Sequence, residues 1–138
     1  MKLKVFRRKT SKGDYMELIF INYSNHPSAQ WSAAQREAAE AYGTIVDMAF
    51  PNIEPAWDAA QVASLADEAA AEIIAKDPAA VLCQGEFTYT FALIEGLRKA
   101  GITVVAACSE RVVHETVDEA GVSHKTAEFS FVQFRQFV

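Results

Sequence analysis

Three short groups of residues capable of polar chemistry each follow an apolar segment of the sequence. The groups are Asn22, Ser24, Asn25 and His26; then Gln84, Gly85, Glu86, Thr88 and Thr90; and then Ser109, Glu110 and Arg111. Their amide, hydroxyl, carboxylate, imidazole and guanidinium groups can bind a polar ligand and transfer its protons. Because a strand that only fills a core needs none of these side chains, their position indicates a ligand site.

The charged members of these groups each have a functional and a structural interpretation. Arg111 is expected to contact a phosphate, with an ion pair to Glu110 or Glu115 as its alternative. Glu86 could act as a general base or could cap the helix that follows it. His26 could hold a phosphate, move a proton or cap its own loop. We predict Arg111, Glu86 and His26 as the catalytic residues.

The uncharged members fit ligand binding. Gly85 lets the backbone approach a ligand, and the helix after it offers free N–H groups to a phosphate. The segment is not a P-loop, because no Lys follows and the glycine is not repeated, so Gly85 could equally make a tight strand-to-helix turn. Gln84 is suited to reading a base edge or a ribose. The predicted ligand contacts are Asn22, Ser24, Asn25, Gln84, Gly85, Thr88, Ser109 and Glu110.

The remaining reactive side chains indicate neither a metal nor a cofactor. Cys83 and Cys108 end neighbouring apolar segments, and buried structural thiols are favoured over a thiol nucleophile acting with His26. His114 and His124 offer two ligands, fewer than a protein metal site usually has. We therefore expect no bound metal and no cofactor.

Length and charge place the chain among small globular proteins. Its 138 residues fit one domain, residues 16–138, preceded by a basic leader, Met1–Tyr15, that could be flexible. This leader holds six of the thirteen basic residues and one of the eighteen acids, so the rest of the chain is acidic. An acidic body argues against a general DNA- or RNA-binding surface. Two cysteines make no disulfide framework and no apolar run is long enough to span a membrane, so we predict a reducing, cytoplasmic location.

Apolar strands alternate with helical patterns along the chain. Strands are predicted at ELIFINYS, TIVDMAFPN, AAVLCQG and ITVVAACSE, with helices between them and a strand hairpin from RVVHETV to SHKTAEFSFVQFRQF. Ser32 with Gln35 and Asp58 with Gln61 have the spacing of capping boxes. This alternation predicts an α/β fold, a small Rossmann-like parallel sheet of order 2-1-3-4 with helices on both faces and a C-terminal antiparallel hairpin.

Ligands of such folds bind at the C-terminal edge of the parallel strands, where the strand order reverses. The three polar groups would meet at that edge, between the first and third strands. The second strand ends in Phe50-Pro51-Asn52 and is expected to add little. Trp31 and Trp57 could stack on bases, but packing at helix starts is the favoured interpretation.

Four segments in this order, NYSNHPS, VLCQGEF, AACSER and FVQFRQF, resemble small CRISPR-associated proteins of the Rossmann-like, ring-nuclease type. The resemblance spans Leu18–Phe137. It implies a homodimer that binds cyclic oligoadenylate, the second messenger of type III antiviral defence. It places Asn22, Ser24, His26, Gln84, Gly85, Glu86 and Arg111 at the ligand and matches Arg135 to a terminal arginine.

The resemblance further implies cleavage of the messenger without a metal, with the neighbouring 2′-hydroxyl as nucleophile. Some members have His at the position of Phe131, a difference that bears on cleavage. Two alternatives remain: a sensor or sponge that binds without cutting, and an unrelated nucleotide- or sugar-processing enzyme that uses Glu86 and Glu110. An aromatic-rich terminal strand also suits a dimer interface.

Overall fold

The computed structural model of the protein describes residues 7–138 and contains seven strands and three α-helices in that range. In chain order they are β1 (Arg7–Lys9), β2 (Tyr15–Glu17), β3 (Ile19–Ser24), α1 (Ala33–Glu40), β4 (Thr44–Asp47), α2 (Ala59–Lys76), β5 (Ala80–Gln84), α3 (Phe87–Lys99), β6 (Val104–Val117) and β7 (Ser123–Gln136). A 3-10 turn, Ser28–Gln30, precedes α1.

Five strands form one mixed sheet in the order β4-β3-β5-β6-β7. The first four are parallel to one another, and β7 runs antiparallel to β6. The predicted α/β class, the order of the parallel strands and the C-terminal antiparallel hairpin are confirmed. The strand order reverses at β3, which lies between β4 and β5.

Alternating side chains of β3 divide the core between the two faces of the sheet. Ile21 and Tyr23 pack with α2 and α3 on one face, in the larger of two apolar clusters. Phe20 packs with Ala39 of α1 on the other face, where Phe134 of β7 joins them. Helices therefore cover both faces as predicted, but α1 alone covers the second face and leaves part of it open.

The helix starts follow the predicted capping chemistry, completely for α2 and in part for α1, where only one of the two hydrogen bonds of a capping box is present. Asp58 accepts the Gln61 N–H at 2.9 Å, and the Gln61 side chain accepts the Asp58 N–H at 2.9 Å, which completes a capping box. The Ser32 hydroxyl accepts the Gln35 N–H at 3.2 Å at the start of α1. Both helices thus begin where the sequence pattern places them.

The hairpin differs from its prediction, because the predicted fourth strand and first hairpin strand form one continuous strand, β6. Only Val104 and Val105 of β6 pair with β5, whereas β6 pairs with β7 as far as Val117. The ribbon formed by residues 109–117 and 123–131 extends beyond the sheet, and we call it the arm. Ser109, Glu110 and Arg111 lie within it, because pairing with β7 lets polar residues continue the strand.

The predicted leader is a hairpin over part of its length. β1 and β2 pair antiparallel, and the Arg8 guanidinium contacts the Asp77 carboxylate at the end of α2. Residues 1–6 of the leader lie outside the described residues. No helix among residues 7–138 is both long and apolar enough to cross a membrane.

Candidate functional site

A cleft of about 670 Å³ opens on the α1 face of the sheet, between the arm and the segment that leads into α1. Its lining residues are Ser24, His26, Gln30, Trp31, Ser32, Gln35, Leu82, Gln84, Ala107, Ser109, Glu128, Phe129, Ser130 and Phe131. Four predicted site residues, Ser24, His26, Gln84 and Ser109, therefore meet in this cleft, and each of the three predicted groups contributes to it.

Aromatic rings line the cleft and continue into the apolar cluster behind it. The Phe134 ring lies 5.1 Å from that of Phe20 and 4.9 Å from that of Phe131, between ring centroids. Trp31 packs edge-on to Phe20 at 6.4 Å and also lines the cleft. The packing interpretation of Trp31 is therefore correct, but the same side chain also offers part of its surface to a ligand.

Phe129 and Phe131 line the cleft, although neither was a predicted site residue. Phe131 was considered only as the position at which some ring-nuclease-type proteins have His. Ser109 lies opposite Phe131, and Arg111 lies opposite Phe129, across the β6–β7 pair. A β-bulge at Cys108/Ser109 sets this register. Sequence alternation indicated strands here but could not indicate the bulge, which decides which face each ring occupies.

Gln84 bridges β5 and β6 at the point where the two strands separate. The ladder between them extends only to Leu82 and Val105, and beyond it the Gln84 Oε1 accepts the Ala107 N–H at 3.1 Å. The Gln84 Nε2 makes no hydrogen bond to other residues in the range 7–138, so it can donate to a ligand. The predicted role of Gln84 as a reader of polar edges stays a prediction, and this geometry permits it.

Asn22 organises the loop after β3. This side chain is 2% exposed, and its Nδ2 donates to the His26 carbonyl oxygen and to Asp47 Oδ1, both at 2.8 Å. Its Oδ1 accepts the Ser24 hydroxyl at 2.7 Å. Because the two donor hydrogens and the carbonyl oxygen already have partners, Asn22 positions Ser24 and His26 rather than contacting a ligand itself.

Asp47, at the end of β4, is the second anchor of this loop and was not predicted. Its Oδ2 accepts the Ser28 hydroxyl at 2.8 Å, beside its contact with Asn22. The second strand therefore contributes more than expected. Asn25 lines a second, smaller depression of about 440 Å³ outside the cleft, together with Asn22, Ser24 and Phe50.

Glu86 is the N-cap of α3. Its carboxylate accepts the Tyr89 N–H at 2.9 Å, the Thr88 N–H at 3.1 Å and the Thr88 hydroxyl at 2.8 Å. The N–H groups of Tyr89 and Thr88 lower the pKa of Glu86, so it is a weak base. The carboxylate also occupies the N–H groups that a phosphate would need, which argues against the predicted anion site at this helix.

Gly85 is required for packing. A Cβ built on it would overlap the Phe50 ring, with Cε2 at 2.7 Å and two other ring carbons closer still. Phe50 packs against Tyr23 and Tyr89, whose hydroxyls share a buried hydrogen bond of 2.6 Å. Aromatic rings thus fill the space beside Gly85 on the α2/α3 face of the sheet, and they leave no room there for a ligand.

The predicted cations lie outside the cleft lining. Arg111 and Glu110 are exposed on the arm, and Arg111 lies one pleat beyond Ser109 on the same face. Arg135 is exposed and neighbours Phe134, so it points to the face opposite the cleft. The cleft therefore brings together four of the twelve predicted site residues; Thr88, Glu86, Gly85, Asn25, Asn22, Glu110, Arg111 and Arg135 are elsewhere.

The two histidines of the arm have local partners, and Cys83 is buried. On the arm His114 Nε2 lies 3.1 Å from Glu128 Oε1, and His124 Nε2 lies 2.8 Å from Asp118 Oδ2. Among residues 7–138 no three His, Cys, Asp or Glu side chains are grouped to hold a metal ion. Cys83 is buried, and burial raises the pKa of its thiol to about 12, which makes it a poor nucleophile.

Comparisons with known proteins bear on the family alone. No curated protein and no solved structure matched the chain. A family model described as the uncharacterized protein MJ1673 family matches residues 18–135. This range includes the whole of β3, β4, β5 and β6 and all but the last residue of β7. The chain therefore belongs to the MJ1673 family.

Proposed function

We propose that the cleft binds cyclic oligoadenylate and that the protein cleaves it slowly, as the resemblance to ring-nuclease-type proteins implies. The observation that supports this most is the meeting of Ser24, His26, Gln84 and Ser109 in one cleft. On the same grounds we propose a Rossmann-like classification, because ligand-facing side chains converge where parallel strand order reverses. We further propose that the protein is a homodimer, as the resemblance implies. We also propose that it is cytoplasmic, which fits the two free cysteines among the described residues.

The lining of the cleft suits unpaired nucleobases. Single-stranded RNA bases are recognised by stacking on aromatic rings and by hydrogen bonds to their edges. Trp31, Phe129 and Phe131 provide rings, and Phe129 is 74% exposed in the free protein. Gln30, Gln35 and Gln84 add amides, each able to donate and to accept. No Lys or Arg lines the cleft among residues 7–138, so bases rather than phosphates would make most of the contacts inside it.

Cleavage would depend on His26 more than on Glu86. In the proposed step the 2′-hydroxyl gives its proton to a base and attacks the neighbouring phosphorus, and the bond from phosphorus to the 5′-oxygen breaks. The 5′-oxygen takes up a proton as it leaves, so the linear product ends in a 2′,3′-cyclic phosphate and a 5′-hydroxyl. His26 lines the cleft, and its backbone carbonyl oxygen accepts a hydrogen bond from Asn22. This bond fixes the backbone position from which the imidazole extends. Arg111, on the same face of the arm, would contact a phosphate of a ring that extends beyond the cleft.

Binding without cleavage is the second candidate. It is favoured by the position of Glu86, whose carboxylate caps α3, and by the fact that the arm arginine, Arg111, is not among the residues that line the cleft. The sugar-processing alternative needs Glu86 and Glu110 to act as a pair. Neither lines the cleft, which argues against that alternative.

One experiment distinguishes these candidates. Purified protein is incubated with cyclic tetra-adenylate, with and without a chelator, and both binding and linear products are followed. We expect binding and slow, chelator-insensitive production of linear RNA. Binding without products would support the sensor, and absence of both would refute the proposal.

Two variants test the cleft itself. Trp31→Leu keeps an apolar side chain for packing but removes the stacking surface, and we expect it to weaken binding about tenfold or more. His26→Ala should retain binding and lose cleavage. His124→Ala is the matched control, since His124 contacts Asp118 near the arm tip, and it should change neither. Equal effects of both histidine variants would contradict the assignment of His26.

A further inference from the structure

The last strand, β7, leaves one edge unpaired along fourteen residues, within the part of the chain that the structure describes. An edge this long presents free backbone N–H and C=O groups, and natural sheets protect such edges or pair them. Apolar side chains are exposed along it, with Phe129 at 74% and Val132 at 58%. An isolated two-stranded ribbon such as the arm is also only marginally stable in water.

We propose that β7 pairs antiparallel with β7 of a second copy of the chain, about a two-fold axis between Phe131 and Val132. The two sheets would then form one continuous sheet. In this register Glu128 of each copy lies opposite Arg135 of the other, so the interface contains two identical ion pairs. A two-fold interface requires such self-complementarity.

The β-bulge makes this register possible. Cys108 pairs with Gln133 and Ser109 with Phe131, so Val132 is the extra residue of β7. Side-chain alternation therefore shifts by one at Val132, and Phe131 and Phe134 lie on the same face with ring centroids 4.9 Å apart.

The faces of the opposed residues agree on both sides of the bulge. Directly opposed residues of antiparallel strands must lie on the same face of a sheet. In the proposed register Phe129 lies opposite Phe134 on the cleft face. By the register with β6, Ser130 and Gln133 share the other face, as do Glu128 and Arg135. Glu128 and Ser130 also border the cleft, which lies against this edge strand. Without the bulge these pairs would oppose residues of different faces.

Only one alternative register would pair opposite charges on β7, with Lys125 opposite Glu128. Lys125 lies opposite Glu115 and so shares the cleft face with Ser109 and Arg111. Glu128 lies on the other face, so this register is incompatible with the pleat. The observed strand therefore selects a single charge-matched pairing, and it does so independently of any ligand in the cleft.

Charge-reversal variants test the register. Association is measured by sedimentation equilibrium over a range of protein concentrations, with circular dichroism to check that each variant is folded. The wild type should form a dimer. Arg135→Glu and Glu128→Arg should each weaken the dimer at least about tenfold, because each replaces two attractions by two repulsions. The double variant, which restores both pairs with reversed signs, should recover most of the affinity.

Two control variants show whether the loss of affinity is specific to the Glu128–Arg135 pair. Lys125→Glu reverses a charge on the same strand but would lie opposite Val138, so it should leave the dimer unchanged. His114→Ala removes the contact that Glu128 makes within its own arm, and it should also have little effect. A monomeric wild type, a Lys125→Glu defect as large as that of the charge-reversal variants, or a double variant no better than either single one would overturn the proposal.

Discussion

Substitution of Gly85 by alanine tests whether this glycine serves packing or a ligand. The added methyl group would overlap the ring of Phe50, which is half-buried. That ring cannot easily turn away, because the Tyr23 ring lies 5.2 Å from it and the Tyr89 ring lies 5.4 Å from it, edge-on. The two tyrosine hydroxyls are joined at 2.6 Å, which fixes both rings. Relief therefore requires movement of the backbone or loss of the aromatic packing.

Overpacking of a well-filled core by one methyl group costs about 1–3 kcal/mol. We expect Gly85→Ala to lower the free energy of unfolding by an amount at the upper end of this range, about 3 kcal/mol, because three rigid rings adjoin the site. Urea unfolding followed by circular dichroism measures this free energy. The change should appear as a lower midpoint with an unchanged slope.

Gly96→Ala is the matched control. A Cβ on Gly96 would meet only the Ala70 Cβ, at 3.5 Å, which is an ordinary contact. Since alanine is favoured over glycine inside a helix, this variant should be as stable as the wild type or more stable by up to about 1 kcal/mol. A Gly85→Ala protein with wild-type stability would refute the packing role and would mean that a ligand could fit beside Gly85. The double variant Gly85→Ala, Phe50→Ala should lose less free energy of unfolding than the two single variants lose together, because alanine at position 50 leaves room for the added methyl group.

Other features give predictions that are measured on their own. Asn22→Ala should lower the free energy of unfolding by about 1–3 kcal/mol, since it leaves buried partners without hydrogen bonds; unchanged urea stability would contradict the role of Asn22 as the loop anchor. Hydrogen bonds lower the pKa of Glu86 in the folded protein, so its stabilising effect is present at neutral pH and is lost as the pH falls through that lowered pKa. Stability curves of the wild type and Glu86→Gln should therefore converge in acid, and parallel curves would argue against the cap. Burial raises the pKa of Cys83 to about 12, so a thiol reagent should modify the half-buried Cys108 first, and Cys108→Ser should abolish the fast phase. Arg111→Ala should weaken cyclic tetra-adenylate binding about tenfold if the ring extends from the cleft onto the arm, and unchanged affinity would exclude a phosphate contact.

Local patterns were sufficient for most of the secondary structure. Continuous apolar runs marked β3 and β5, and capping residues marked the starts of α1 and α2. The error at β6 has a clear cause, since the polar residues after Cys108 resemble the end of a strand. They continue it instead, because β7 provides hydrogen-bond partners that are distant in sequence.

The candidate site was predicted in part for a similar reason. The polar groups after β3, β5 and within β6 do converge, as the parallel topology requires, but convergence does not determine which side chains remain free. Glu86 is satisfied by the first turn of its own helix, a local outcome that the sequence allowed as an alternative. Asn22 is satisfied by Asp47, twenty-five residues away, and such a contact leaves no periodic signal.

The amino-acid sequence by itself determined the α/β class, the order of the elements and the edge of the sheet where polar residues gather, because hydrophobic period and capping chemistry act over a few neighbouring residues. The tertiary structure alone decided that Phe50 fills the space beside Gly85, that the cleft lies on the α1 face under the arm, and that a bulge at Val132 aligns Phe129, Phe131 and Phe134 on one face. These outcomes depend on contacts between segments far apart in the chain, and a shift of one residue in strand register would reverse the faces on which the side chains lie.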